Sequence, residues 1–129
     1  MCLKMFMEKD YTIHFENTPE YLRATYTSNS NSIELFRSVL FEVANELKKH
    51  KTKKVMLISE SPYKLEEAEI FNIATECAPL YFGLKCAFYD TFPIHFSRLR
   101  FAELVSENRG LNVQCFTEFE VAEKWLLED

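Results

Sequence analysis

Acidic side chains and one histidine follow two of the predicted strands. Glu60 comes shortly after the apolar run 55–58, and Asp90 and His95 follow the run 84–89. A carboxylate can fix the tautomer of a nearby imidazole, so a converging pair of this kind could supply a general base. A histidine in a loop is nevertheless expected to be solvated. We therefore expect no catalytic residue and no enzymatic activity.

The same loops carry aromatic side chains that could wall a small-molecule site. Ligands of open α/β sheets bind beyond the carboxyl ends of the strands, and they prefer apolar pockets with a few polar groups. Thr117, which follows the last predicted strand, is a candidate for the rim of this crevice. The predicted ligand-binding residues are Ser59, Glu60, Tyr63, Tyr89, Asp90, Phe92, His95 and Phe96.

The cysteines and glycines favour neither a metal nor a nucleotide cofactor. Cys2, Cys77, Cys86 and Cys115 show no Cys-x-x-Cys spacing and no partnered histidine pattern, so reduced thiols are expected. Cys86 and Cys115 lie mid-strand among apolar neighbours, which is typical of buried, inert thiols. With only 2 glycines in the chain, no glycine-rich phosphate loop can be built. We expect no metal site and no cofactor.

The charge pattern limits the partners. The net charge is −5 and no basic stripe is present, whereas nucleic-acid binding needs clustered cations. The one basic run, Lys48 to Lys54, ends a predicted helix, where cations complement the macrodipole. No apolar run reaches the roughly 20 residues of a membrane span. Residues 1–8 are too short and too charged for a signal peptide. We therefore expect no nucleic-acid partner, no membrane span and a cytoplasmic protein.

The spacing of apolar residues predicts the elements that position these side chains. Residues 11–16 and 21–27 alternate with period two around the turn signal Asn17-Thr18-Pro19, which predicts a hairpin. A helix with Asn31 as its N-cap is predicted to reach about His50. Its apolar positions recur every three or four residues, so one face should pack on a sheet.

Strands and helices then alternate to the end of the chain. Pro62 suits a first helical turn, Pro79 should end that helix, and Gly110 should stop the next one. The predicted bounds are 55–58, 61–78, 84–89, 96–108 and 112–116, with a last helix beginning at Thr117.

The start of the last helix has a recognisable local pattern. Thr117 and Glu120 have the spacing of a capping box, and Phe116 and Val121 have the spacing of a hydrophobic staple. Trp125 and Leu126 continue an apolar stripe, so Phe116, Trp125 and Leu126 are assigned to the core.

These elements define an α/β fold. We predict a single-layer mixed sheet of about five strands in the order β-β-α-β-α-β-α-β-α, mostly parallel with an antiparallel N-terminal hairpin. The 129 residues are near the usual size of one domain. We assign 1–10 to an N-terminal extension and 11–129 to a single domain.

Two segments stand out besides the order of elements: Gly83 to Phe88, and Gly110 to Thr117 followed by Ala122 and Trp125-Leu126. With that order, they resemble the SpoIIAA-like family of small STAS-like domains, which have been compared with lipid-binding CRAL-TRIO domains. The resemblance implies this fold. The STAS segment whose serine is phosphorylated corresponds to 65–70, which contains no serine, so the motif for a phosphorylation switch is absent.

Two functions of different classes are consistent with these observations. The first is a non-enzymatic STAS-like interaction or regulatory module that binds a protein partner or forms a homodimer. The alternative is a binder of a small apolar or lipid-like ligand in an aromatic crevice. The predicted helix 96–108 is apolar on more than one side, as in a core helix, and any exposed apolar side would be the surface for a partner or ligand.

Overall fold

The structure of the protein is a computed structural model, in which residues 10–30 and 32–128 are described. The strands are β1 (Tyr11–Asn17), β2 (Leu22–Ser28), β3 (Lys54–Ser59), β4 (Lys85–Asp90) and β5 (Asn112–Phe116). The helices are α1 (Ile33–His50), α2 (Glu67–Tyr81), α3 (Phe96–Asn108) and α4 (Phe119–Leu127), with a short 3₁₀ turn at Pro93–His95. The predicted extension 1–10 lies outside the described residues apart from Asp10, and Asn31 lies outside them as well.

The strands form one mixed sheet in the order β1-β2-β3-β4-β5. β1 pairs antiparallel with β2, and the remaining pairs are parallel. This confirms the predicted α/β class, element order and N-terminal hairpin. The hairpin turns at Thr18. The Thr18 hydroxyl donates to the Tyr21 carbonyl and accepts from the Tyr21 amide.

The helices are distributed unequally over the two faces of the sheet. Each parallel strand lies beside the strand that precedes it in the chain, so the crossover connections all run in the same direction along the sheet. Because these connections share one handedness, they place their helices on the same face of the sheet. Helices α1, α2 and α3 accordingly share a face with Leu22, Val55 and Cys86. No described strand follows α4, which packs on the opposite face against Met56 and Ala87.

Helix α1 begins one residue after the predicted position. Ser32 is its N-cap, and its hydroxyl accepts from the Leu35 amide. The basic last turn is present, since Lys48 and Lys49 lie there as predicted. Within residues 10–30 and 32–128, no helix has the length and apolar character that a membrane span requires.

The predicted bounds of α2 were wrong at both ends. The helix begins at Glu67 with a capping box in which Glu69 accepts from the Glu66 amide. Ser61 lies six residues before the helix and does not cap it. Its hydroxyl bonds Ser28 and accepts from the Tyr63 amide. The helix also continues through Pro79 to Tyr81, since a proline in the last turn removes only one helical hydrogen bond.

Helix α3 and its stop agree with the sequence. Gly110 has φ +81° and follows the C-cap Arg109. The amide of Gly110 donates to the Glu107 carbonyl and that of Leu111 to the Ser106 carbonyl, which together form a Schellman motif.

The start of α4 differs from the prediction. Its N-cap is Glu118, so the capping box of Thr117 and the staple between Phe116 and Val121 were wrong. Phe116 packs on Trp125 with ring centroids 5.7 Å apart, whereas Val121 is 49% exposed. Leu126 is fully buried, as predicted, and Phe116 and Trp125 are half-buried against the same cluster.

Candidate functional site

A cavity of about 180 Å³ lies between the sheet and the helices α1, α2 and α3. Most of its wall is apolar. The strands contribute Leu57, Phe88 and Val113 to that wall. The helices contribute Phe36, Ile73 and Leu99. A space of this kind is what small apolar molecules occupy in proteins.

The cavity follows the direction of the strands. Cys86, Phe88 and Asp90 all line it, and they alternate along β4 on the same face of the sheet. From Cys86 to Asp90 the strand rises roughly 13 Å at about 3.3 Å per residue. The cavity therefore reaches the carboxyl edge of the sheet, where Asp90 and Ser59 are paired in β4 and β3.

Hydroxyl groups gather at this carboxyl end. Ser28 and Ser61 share a hydrogen bond of 2.7 Å between their Oγ atoms, and the Ser61 amide donates to Ser59 Oγ at 3.4 Å. Ser59 and Ser61 are buried. Tyr63, which is 44% exposed, also lines the cavity and marks the side that solvent reaches.

Asp90 and His95 form a buried pair at the same end. Asp90 Oδ2 lies 2.8 Å from His95 Nδ1, and Asp90 Oδ1 accepts from the Phe92 amide at 2.8 Å. Their side chains are 6% and 5% exposed. The 3₁₀ turn Pro93–His95 produces this geometry by bringing the ring back over Asp90. The expectation that this histidine is solvated was therefore wrong.

The pair has a defined hydrogen-bonding capacity. An ionised carboxylate only accepts, so Nδ1 of His95 carries the proton that lies between the two residues. In the neutral ring Nε2 is then an acceptor. Within the described part of the chain, Nε2 makes no hydrogen bond to another residue. The pair can accept a proton or a hydrogen bond from a molecule in the cavity.

Burial keeps two thiols and one phenol of the cavity neutral. Burial raises the pKa of Cys86 to about 12 and also raises that of Cys115, where Glu103 adds to the effect. The pKa of Tyr26 is raised by burial and by the nearby carboxylate of Asp90. Neutral thiols are poor nucleophiles and poor metal ligands. Cys86 and Cys115 thus match the prediction of inert thiols.

The rim carries balanced charge. Arg98 lines the cavity, and its guanidinium lies 2.8 Å from a carboxylate oxygen of Glu66 and 3.6 Å from one of Glu67. Its positive charge is thereby compensated at the rim. No group of three or more potential metal ligands occurs among residues 10–30 and 32–128.

The structure brings half of the predicted site residues together. Ser59, Tyr63, Asp90 and His95 line the cavity. The other four predicted residues do not line it. Tyr89 lies on the opposite face of the sheet, where its ring contacts Phe119. Glu60 and Phe96 are exposed. Phe92 contacts the His95 ring from outside the cavity.

Several cavity residues were missed by the sequence reasoning. Tyr26 and Ser28 line the cavity from β2, and Cys77 lines it from α2. The period-two pattern of β2 carried a signal, because Tyr26 and Ser28 share a face with the apolar Leu22 and Ala24. α2 carried a weaker signal. Ile70, Ile73 and Cys77 recur every three or four residues within the predicted helix 61–78, but this spacing predicts a packed face and not a cavity.

No protein-family model matches the chain, and no curated protein matches it. The resemblance to the SpoIIAA-like family therefore stays a prediction. The site has to be interpreted from its own geometry.

Proposed function

We propose that the protein binds a small apolar molecule in the cavity between the sheet and helices α1, α2 and α3. The observation that carries this proposal is the cavity itself, about 180 Å³ in volume, mostly apolar and continuous with the carboxyl edge of the sheet. It lies beside the predicted crevice, on one face of the sheet. The proposal keeps the protein non-enzymatic.

The volume limits the size of the ligand. An apolar cavity of about 150 Å³ in another protein takes up benzene. A cavity of about 180 Å³ suits a single ring or a short alkyl chain. A lipid with two long acyl chains exceeds this space.

The energetic cost of the cavity also supports a bound molecule. Enclosed apolar space destabilises a protein by about 24 cal/mol per Å³, and the part of this cavity that is closed to solvent carries such a cost. Domains have a total stability of about 5–15 kcal/mol. A ligand that fills the cavity recovers much of that loss through dispersion contacts.

Filling the cavity by mutation tests the proposal. Ala74 lies on α2 and lines the cavity, whereas Ala68 lies on the same helix and is exposed. We expect Ala74→Leu to reduce the amount of apolar compound recovered by solvent extraction and mass spectrometry of the purified protein, and Ala68→Leu to leave it unchanged. Equal recovery from both variants, or none from the wild type, would contradict the proposal.

A protein-interaction role is the second candidate. Ile94 lies in the 3₁₀ turn and Phe96 is the first residue of α3. Their side chains are 80% and 53% exposed. Exposed apolar side chains that lie close together are typical of contact surfaces. If this surface mediates homodimer formation, the double variant Ile94→Ser and Phe96→Ser will sediment as a monomer while the wild type sediments as a dimer. A monomeric wild type would exclude the homodimer.

A further inference from the structure

We propose that the cavity recognises a small apolar molecule with a terminal hydroxyl group, and that this hydroxyl donates its hydrogen to His95 Nε2. The inference rests on the proposed function and specifies the ligand. It is carried by the position of the Asp90–His95 pair at the carboxyl end of the apolar cavity.

The first step concerns the direction of the hydrogen bond. Asp90 uses Oδ1 for the Phe92 amide and Oδ2 for His95 Nδ1, so both of its oxygens are engaged. The imidazole is held with its Nδ1 proton toward Asp90, which leaves Nε2 as the acceptor. A ligand group at this end must therefore be a donor. A ligand that covered this acceptor without supplying a donor would lose about 1–3 kcal/mol of binding free energy.

The second step concerns the charge of the ligand. A carboxylate or phosphate would meet the buried carboxylate of Asp90 at this end. Two cations line the cavity, and both are engaged. Arg98 is paired with Glu66 and Glu67, and Lys64 has an interaction partner as well. A neutral donor avoids both problems, and a hydroxyl is the smallest such group. The Ser28–Ser61 hydroxyl pair lies at the same end of the cavity.

The third step concerns the body of the molecule. Beyond Asp90 the cavity is bordered along β4 by Phe88 and Cys86, and burial keeps the Cys86 thiol neutral. The wall therefore becomes apolar away from the polar end. A chain of about six to eight atoms spans a large part of the roughly 13 Å between Asp90 and Cys86.

Three probes of equal size separate these contributions. 1-Hexanol has a terminal hydroxyl, methyl pentyl ether can only accept a hydrogen bond, and heptane can do neither. We expect calorimetric or NMR titration of the wild type to show binding of heptane and of 1-hexanol, with the ether bound more weakly than 1-hexanol. If none of the probes binds, the proposed function itself is wrong, and this inference with it.

Variants of the pair isolate the hydrogen bond. His95→Leu should weaken 1-hexanol binding about tenfold, the effect of losing one hydrogen bond, and leave heptane binding unchanged or stronger. Phe96→Leu, which alters an exposed neighbour outside the cavity, should change neither. Heptane binding together with an undiminished affinity of His95→Leu for 1-hexanol would overturn the inference and leave the proposed function standing.

Asp90→Asn provides an independent test that keeps the size of the side chain. The amide oxygen of the new residue is needed by the Phe92 amide, so its NH₂ group faces His95 Nδ1. The ring then carries its proton on Nε2 and becomes a donor to the cavity. We expect the ether to gain at least severalfold relative to 1-hexanol in this variant. An unchanged ratio of the two affinities would count against the assigned role of Nε2.

Discussion

Asp90 holds together a backbone turn and a buried ring. Its carboxylate accepts from the Phe92 amide and from His95 Nδ1, both at 2.8 Å. A buried donor that loses its acceptor keeps the full cost of its lost hydration. The residue therefore contributes to the stability of the loop as well as to the chemistry of the cavity.

Removal of this carboxylate should be costly. We expect Asp90→Ala to lower the free energy of unfolding by about 3 kcal/mol, because two buried donors lose their partner. Urea denaturation measures the change. Glu60→Ala is the matched control, since Glu60 is exposed, and it should stay within about 0.5 kcal/mol of the wild type. A similar effect of the two substitutions would show that the pair adds little to stability.

Cys86 should make the protein sensitive to alkaline pH. Burial raises its pKa from 9.0 to about 12, so the unfolded chain loses the thiol proton first. The stabilisation that the protonated Cys86 thiol gives to the folded state is complete below pH 9. It is lost as the pH rises toward 12, and the free energy of unfolding then falls by up to about 1.4 kcal/mol per pH unit. Between pH 8 and pH 10 the free energy of unfolding should therefore fall less for Cys86→Ala than for the wild type. Equal slopes would show that the thiol is not protected by burial.

Residue patterns in the sequence located part of the site. Ser59, Asp90 and His95 follow strands whose carboxyl ends meet at one edge, so their proximity could be predicted. The face of the sheet on which each of these side chains lies was less predictable. Tyr89 and Asp90 are neighbours in β4, and a shift of one residue places a side chain on the opposite face of the sheet.

At the scale of the elements, helix starts were the least predictable feature. Thr117 and Glu120 have the spacing of a capping box, but α4 is capped at Glu118. Phe116 pairs with Tyr89 in the sheet, so β5 continues to the residue before Thr117. The capping box of α2 uses Glu66 at its first position, where serine or threonine is the usual signal. Strand pairing and burial, both nonlocal, decided these positions.

The starts of α2 and α4 should respond differently to loss of a glutamate in the first turn. Glu69→Ala removes the acceptor of the Glu66 amide, which lies 2.9 Å from Glu69 Oε1. We expect a loss of about 0.5–1 kcal/mol in the free energy of unfolding, measured by urea titration. Glu120→Ala should change it by less than about 0.5 kcal/mol because Glu120 belongs to no capping box. The reverse order would support the start predicted from Thr117.

At the scale of the whole molecule, the sheet is covered unequally. α1, α2 and α3 cover one face and enclose the cavity, whereas the other face depends on α4 within the described part of the chain. The order of helices and strands was sufficient to predict the sheet and its parallel strands. It was not sufficient to predict the cavity, which depends on how closely the side chains of separate elements pack.

The short helix α4 should be indispensable for the stability of the molecule. Leu126 is fully buried against Met56 and Ala87. We expect Leu126→Ala to lower the free energy of unfolding by about 2–5 kcal/mol. Val121→Ala on the same helix should cost less than about 1 kcal/mol, because Val121 is 49% exposed. Thermal and urea unfolding followed by circular dichroism would measure both, and equal losses would indicate that α4 is not the main cover of this face.

The strand order β1-β2-β3-β4-β5 has a consequence for biosynthesis. Every strand pairs with its predecessor in the chain, so during translation no strand has to wait for a partner that is made much later. The sheet can grow by one crossover at a time behind the ribosome. The wall of the cavity is completed when β5 joins, and α4, the last of the described helices, then closes the opposite face. Nascent chains that end before α4 should therefore expose Met56 and Ala87 to chaperones, even though the cavity is already formed.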